Sequence, residues 1–155
     1  MFKRDPLTYY RSPLGWIRIR HRGAALASLS FVPRKPAQGV WLKKNTGLRQ
    51  QLEAYFKKGS EKFSVSLGDA GTPFQRKVWK ALLRVPYGRT VSYSQIAERI
   101  GKKKSVRAVA NAVGQNRLPL LVPCHRVIGK DGSLTGYAYG LRKKAWLLRH
   151  ERGSG

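Results

Sequence analysis

Residues 92–114, SYSQIAERIGKKKSVRAVANAVG, decide the fold. Ser92 with Gln95 three residues later is a capping box, so a short helix opens at Tyr93 and runs to Ile100, where Gly101 stops it. Lys102 to Lys104 make a basic turn, Ser105 is the N-cap expected for a second helix, VRAVANAV, and Gly114 ends that helix. Two short helices around a tight turn form a helix-turn-helix unit, although two ordinary packed helices fit the same pattern. The second helix is unusual for a sequence reader. Ala108, Ala110, Ala112 and Gly114 leave it smooth, Arg107 is its one long cation, and only Asn111 and Gln115 can reach toward base edges. A smooth helix approaches a duplex closely while reading little sequence, and a single arginine can enter the base stack.

Upstream, Thr72-Pro73-Phe74-Gln75 combines an N-cap, a first-turn proline and a capping-box glutamine, and Phe74, Val78 and Leu82 follow at helical spacing. A helix over about 73–84 is expected, ending before the turn VPYGRT. LGDAGTP, with Gly68 and Gly71, reads as a linker that divides the chain into an N-terminal α/β domain, 1–70, and a C-terminal domain, 71–155. In the first of these, WIRIRHRGAALASLSFV alternates apolar and polar residues on both sides of Gly23, the pattern of a β-hairpin. VPRKPAQGVWLKK reads as a loop, and Leu48, Leu52, Tyr55 and Phe56 then mark one face of a helix that ends near Gly59 and can close the sheet. Downstream, the chain reads as extended from Pro119 through PLLVPCHRVI, turns at GKDG, passes the loop TGYAYG and ends in the helix LRKKAWLLRHE, with Glu151 in its last turn.

Thirty-two Lys and Arg against seven Asp and Glu give a formal charge of +25 over 155 residues, spread along the chain rather than confined to a tail. Such a field implies a polyanionic partner, nucleic acid first. The single cysteine excludes an internal disulfide and a multi-thiolate zinc site, and His21 stands alone upstream, so neither a metal nor a cofactor is expected. No apolar run is long enough for a membrane span or a signal peptide; a soluble, cytoplasmic, monomeric protein, associated with nucleus or nucleoid through DNA, is expected.

The one thiol lies in VPCHRV, residues 122–127, between Pro123 and His125, with Arg126 beyond. A free thiol is mostly protonated at neutral pH; a neighbouring base or positive field raises its thiolate fraction. In a regular strand Cys124 and His125 would point to opposite faces, so the two can cooperate only at a bend, which Pro123 favours, or through a bridging water. A buried filler cysteine beside a surface histidine is the bland alternative.

PCHRVIGKDGSLTGYAYG, together with GTPFQRKVWKALLRVPYGRTVSYSQIAERIG, RAVANAVGQN and KKAWLLRHE, resembles the O6-alkylguanine-DNA alkyltransferase family, also called methylated-DNA-protein-cysteine methyltransferases. The resemblance covers essentially all of residues 71–151 and more loosely the N-terminal hairpin and the helix around LEAYFKKG. It implies an α/β fold, a small N-terminal sheet with a flanking helix followed by a mostly helical helix-turn-helix domain carrying the PCHRV site. It implies further that Cys124 irreversibly takes the alkyl group from O6-alkylguanine in double-stranded DNA, with O4-alkylthymine as a further candidate substrate. His125 would act on the thiol through a water, Glu151 would hold the imidazole, Tyr93 would donate toward the departing guanine, and Asn116 would brace the turn. DNA contacts are expected from Val106, Arg107, Ala108, Asn111, Gly114 and Gln115, with Tyr93, Ser94 and Arg126, Arg107 filling the space of a flipped base. The pocket is expected from Val122, Pro123, Tyr137, Ala138, Tyr139 and Gly140. The chain departs from the family pattern at Arg117, commonly proline, and at Tyr139, often glycine, whose bulk would narrow the pocket against large adducts.

Three rival readings remain distinguishable: a lesion binder that does not repair, a helix-turn-helix regulator with an incidental cysteine, and a Cys-His hydrolase. The first lacks the nucleophile in the relatives of that kind, the second predicts strong sequence preference, and the third does not explain the charge.

Overall fold

The computed structural model describes residues 6–23, 25–43, 46–59, 63–64 and 70–153, and the chain divides into two compact units, Met1–Gly68 and Asp69–Gly155. Of the linker expected at LGDAGTP, residues 67–69 lie outside the described residues.

The first unit is built on a four-stranded sheet in the order β3-β2-β1-β4, from β1 (Leu7–Ser12), β2 (Gly15–Arg22), β3 (Ala25–Val32) and β4 (Val40–Trp41). The expected hairpin is β2–β3, antiparallel with Ile17 opposite Phe31 and Ile19 opposite Leu29, and its register shifts between Arg20 and His21. Strand period two sends Tyr10, Ile17, Ile19, Leu29 and Phe31 to one face, where they are buried. Helix α1 (Gly47–Lys58), capped by Thr46 and ended by Gly59 at φ 65, buries Leu48, Leu52, Tyr55 and Phe56; the Phe56 ring stacks on Tyr10 at 6.4 Å. Two strands were missed. Tyr9 and Tyr10 make β1 ambiguous by alternation alone, and β4 is two residues long, inside a segment whose prolines read as loop.

The second unit begins with α2 (Pro73–Leu83). Thr72 accepts from the Gln75 amide at 3.1 Å while Gln75 accepts from the Thr72 amide at 2.9 Å, the reciprocal box expected from the sequence. A short strand β5 (Val91–Ser92) leads into α3 (Tyr93–Arg99), where Ser92 and Gln95 form the same box. At the end of α3, Gly101 adopts φ +74, its amide bonds Glu98 and the Lys102 amide bonds Ala97, a Schellman closure that a residue with a side chain would strain. Helix α4 (Val106–Gly114) follows, and Gly114 lies inside it rather than stopping it. Ser105 does not cap α4: its φ and ψ of −107° and 33° are outside the extended geometry a cap needs, and its side chain makes no cap bond. Val78, Leu82, Ile96 and Val109 are wholly buried among these helices, and Trp79 on α2 donates its indole N–H to the Ala112 carbonyl on α4 at 2.9 Å.

The extended reading of 119–128 is overturned. Pro119 and Pro123 cannot donate to a ladder, and the segment instead forms turns, closed by Val122 N–H to Leu118 O and Cys124 N–H to Val122 O, both 2.8 Å. Cys124–Arg126 is a single 3₁₀ turn, and only β6 (Val127–Ile128) is extended, pairing in parallel with β5. The closing helix is α5 (Leu141–Glu151).

Candidate active site

Pro123, at φ −80° and ψ 65°, makes an inverse γ-turn that throws Cys124 out of any strand direction. In the 3₁₀ turn that follows, successive side chains are about 120° apart rather than opposed. Cys124 and His125 therefore diverge far less than strand geometry would impose. Asn116 clamps the approach to this turn: its side-chain N–H donates to Val122 O at 2.8 Å and its Oδ1 accepts from the Leu118 amide at 2.9 Å. Between these anchors Leu120 sits at φ 75°, a left-handed conformation that costs a leucine of order 1–3 kcal/mol and persists because the turn is fixed at both ends.

Cys124, 8 % exposed, lines a cavity of about 150 Å³ with Tyr93, Asn116, Tyr137 and Tyr139, and with Ala110, Val113 and Gly114 of α4. Burial pushes its thiol pKa up, opposed by the Asn116 side chain and the positive charge of Lys144. The resting thiol is therefore protonated at neutral pH and needs a base.

His125 is that candidate, wholly buried, with Nε2 at 2.5 Å from Glu151 Oε2 and Nδ1 without a hydrogen-bond partner. Burial depresses its pKa, the Glu151 hydrogen bond and charge pull it up, and Arg126 pushes it down again. At pH 7 the ring is neutral, with Nε2–H donating to Glu151 and Nδ1 left as the basic atom. Burial disfavours the charged form of Glu151, but hydrogen bonds and charge from His125 and Arg126 outweigh it and hold the carboxyl well below the usual carboxylate range.

Arg126 was expected at the DNA surface and is not there. It is buried, its Nε and second terminal nitrogen donate to Glu151 at 2.7 and 3.2 Å, its other terminal nitrogen donates to Val85 O at 2.7 Å, and its guanidinium lies 5.7 Å over the Tyr87 ring. All three guanidinium nitrogens are engaged within the protein, and the side chain is buried rather than presented to a phosphate. Three expected pocket residues also fall outside the cavity lining: Val122 and Pro123 are buried in the turn behind the thiol, and Gly140 is exposed at the start of α5. Ala138, Tyr137 and Tyr139 line the cavity, the two tyrosine rings meeting edge to face at 5.7 Å.

Tyr93 enters the site because the β5–β6 pairing sets the start of α3 beside the thiol turn; its hydroxyl donates to Thr135 O at 3.1 Å. That same carbonyl accepts from Lys144 Nζ at 2.8 Å, and Lys144 also donates to Gly136 O at 3.0 Å. Lys144 is wholly buried, and burial lowers its pKa to about 8. It was missed from the sequence. The signal was present: Lys144, Leu147, Leu148 and Glu151 fall at i, i+3, i+4 and i+7, the buried face of α5.

On α4, Arg107, Ala108, Asn111 and Gly114 are exposed, as is Gln115 just beyond, while Val106 is half-buried. Lys104, Ser105, Arg107, Ala108 and Asn111 form an open groove along the helix. Ser94 instead faces a separate depression with Thr90, Gln95 and Lys130. Arg117 is exposed on the turn that Asn116 clamps. No helix of the described residues is long and apolar enough to cross a membrane.

A family model described as 6-O-methylguanine DNA methyltransferase, DNA binding domain, matches residues 73–153. The methylated-DNA--protein-cysteine methyltransferase of Methanosarcina barkeri is 43% identical over 146 residues, 90% of this chain and 92% of that protein. The protein of the same name from Mycobacterium leprae is 41% identical over 91% of this chain and 88% of its own length. Among solved structures, Mycobacterium tuberculosis OGT in complex with DNA superposes with a TM-score of 0.85 at 40% identity, over 95% of this chain and 92% of that one. A hyperthermophilic archaeal O6-methylguanine-DNA methyltransferase, from Pyrococcus kodakaraensis, shares the fold at TM-score 0.62 and 23% identity, covering 94% of this chain and 98% of its own.

Proposed function

Since the chain belongs to the 6-O-methylguanine DNA methyltransferase family, we propose that it repairs double-stranded DNA by moving the alkyl group of O6-alkylguanine onto Cys124, once per molecule. The observation that carries this reading is the pairing of a thiol in a cavity with a neutral imidazole whose far nitrogen is locked to a buried carboxylate.

The reaction forms a bond from Sγ to the alkyl carbon as the bond from that carbon to O6 breaks. The thiol proton passes to His125 Nδ1 through a bridging water, and Glu151, held in place by Arg126, stabilises the imidazolium as it forms. Guanine would otherwise leave as an anion; the Tyr93 hydroxyl, held at the cavity wall, donates toward its ring, and the proton taken from the thiol makes up the balance. The product is a thioether, which has no hydrolytic exit, so Cys124 is not regenerated and the protein acts as a single-turnover methyltransferase.

A base inside a duplex cannot reach a thiol that is 8 % exposed, so the lesion must be flipped out. Helix α4 supplies both sides of that event: Ala110, Val113 and Gly114 form the cavity wall, while exposed Arg107 and Ala108 lie along the groove where the helix meets the minor groove. The smooth face and the +25 charge suit a reagent that must work at any sequence. Transfer needs one chain and one lesion, so the working unit is a monomer.

Intact-protein mass spectrometry after mixing with a duplex holding one O6-methylguanine tests this. Wild type should gain one methyl and stop at one equivalent, and Cys124→Ala should gain none. Tight binding without a mass gain would refute transfer and leave a lesion binder.

A further inference from the structure

The face of the N-terminal sheet opposite α1 carries a feature that alkyl transfer does not use. Strand alternation places Tyr9 and Arg11 of β1 with Trp16, Arg18 and Arg20 of β2 on that face, Arg11 directly opposite Trp16 and Tyr9 opposite Arg18. Trp41 of β4 pairs beside Tyr9, and its ring meets that of Trp16 at 5.1 Å with an interplanar angle of 33°. The Arg11 guanidinium lies 5.7 Å over the Trp16 ring. The edge of the Tyr9 ring packs close against Gly39, where an added Cβ would be 2.6 Å from it. Trp41 remains 45 % exposed and Val40 61 %, an unusual state for an indole on a sheet. No acidic residue occurs in the sequence between Asp5 and Glu53, whereas nine Arg and Lys do.

We propose that this face binds an unpaired DNA strand, with the open face of Trp41 stacking a base and Arg11 and Arg18 holding the phosphates on either side. The chemistry selects the partner. Arginines interleaved with aromatic rings on an open sheet match a polyanion that also offers flat π-faces, and only unpaired bases offer them. A duplex would meet the arginines alone and leave the indole in water. A second copy of this chain would set like charges against each other across the face. The proposal does not depend on alkyl transfer at Cys124.

The test uses the full chain and a short labelled oligothymidine that carries no alkylated base, with a blunt duplex of mixed sequence as the comparison. Trp41→Ala should weaken oligothymidine binding roughly tenfold and leave duplex affinity unchanged. Trp41→Phe should keep most of the affinity. The pair Arg11→Gln and Arg18→Gln should lower the slope of log affinity against log salt by about 1.4 for the single strand. Methyl transfer is measured on the same preparations and should be the same for all of them, which also shows that they are folded. Equal oligothymidine affinity for wild type and Trp41→Ala would overturn the proposal, as would a wild-type dimer that Trp41→Ala converts to monomer. A wild type that binds oligothymidine through Trp41 but transfers no methyl would overturn the repair reading and leave this one standing.

Discussion

Arg126→Met separates the structural role of that arginine from the surface role its position in the sequence suggests. In the structure the guanidinium is one half of a buried ion pair with Glu151, doubly hydrogen-bonded at 2.7 and 3.2 Å, and also caps the Val85 carbonyl. Removing one partner of such a pair costs about 3–5 kcal/mol, because the other charge stays buried and uncompensated. For a chain of this size that is a drop in melting temperature on the order of 10 °C. The chemical effect is more diagnostic. Arg126 helps to keep His125 neutral; without it the Glu151 carboxylate acts on His125 alone and pulls the imidazole pKa upward. The base is then protonated over a wider range, so methyl transfer should fall several-fold at pH 6.5 and largely recover by pH 8. Single-turnover transfer rates between pH 5.5 and 8.5, below the melting range of the variant, measure this, and Arg126→Lys should restore part of it. An unchanged pH profile and melting temperature, with weaker duplex binding and a flatter salt dependence, would show that Arg126 contacts phosphate and that the buried network is misread.

Asn116→Ala removes two hydrogen bonds from the thiol turn and should cost about 2 kcal/mol by urea unfolding, with a transfer rate down by at least roughly tenfold as the turn around Leu120 relaxes. Lys144→Met takes away a charge that favours the thiolate and both donors to the 135–136 carbonyls; iodoacetamide labelling of Cys124 should shift to higher pH. Tyr139→Gly widens the cavity, so the rate ratio of benzyl to methyl transfer should rise about tenfold, and an unchanged ratio would clear Tyr139 of a gating role. His125 and Glu151 both have folded pKa values below their ordinary 6.5 and 4.5, so the unfolded chain binds protons that the folded one refuses. Stability is then full above pH 6.5 and lost as pH falls, first through His125 and then through Glu151; a urea midpoint flat from pH 7.5 to 5 would contradict the neutral buried imidazole.

Where a local rule suffices, sequence and structure agree: the boxes at Thr72 and Ser92, the Gly101 stop and the hairpin around Gly23 each depend on neighbours within a few residues. Cys124, His125, Asn116 and Glu151 were legible through motif resemblance, since nothing local in the sequence joins residue 125 to residue 151. Three of the misreadings share a cause. Arg126, Lys144 and the strand β4 are decided by tertiary partners, a carboxylate 25 residues away, two loop carbonyls and the edge of β1, and each looks in sequence like ordinary cationic or loop-forming surface. The extended reading of 119–128 failed because Pro119 and Pro123 cannot join a ladder, and the bend favoured by Pro123 became a run of turns.

The Glu151 carboxylate also reaches back to the Gly88 amide at 3.4 Å, 63 positions earlier in the chain. The site is thus a high-contact-order object: its base acquires tautomer and orientation only after α5, the last helix of the unit, has been synthesised and has docked. Until then Cys124 is an ordinary thiol on an unfolded segment, with no base and no cavity, and reacts no faster than any other. For the single-turnover transfer proposed for this chain, the order of assembly is itself a safeguard, because the thiol meets its base and its cavity only in the completed fold and not on the nascent chain.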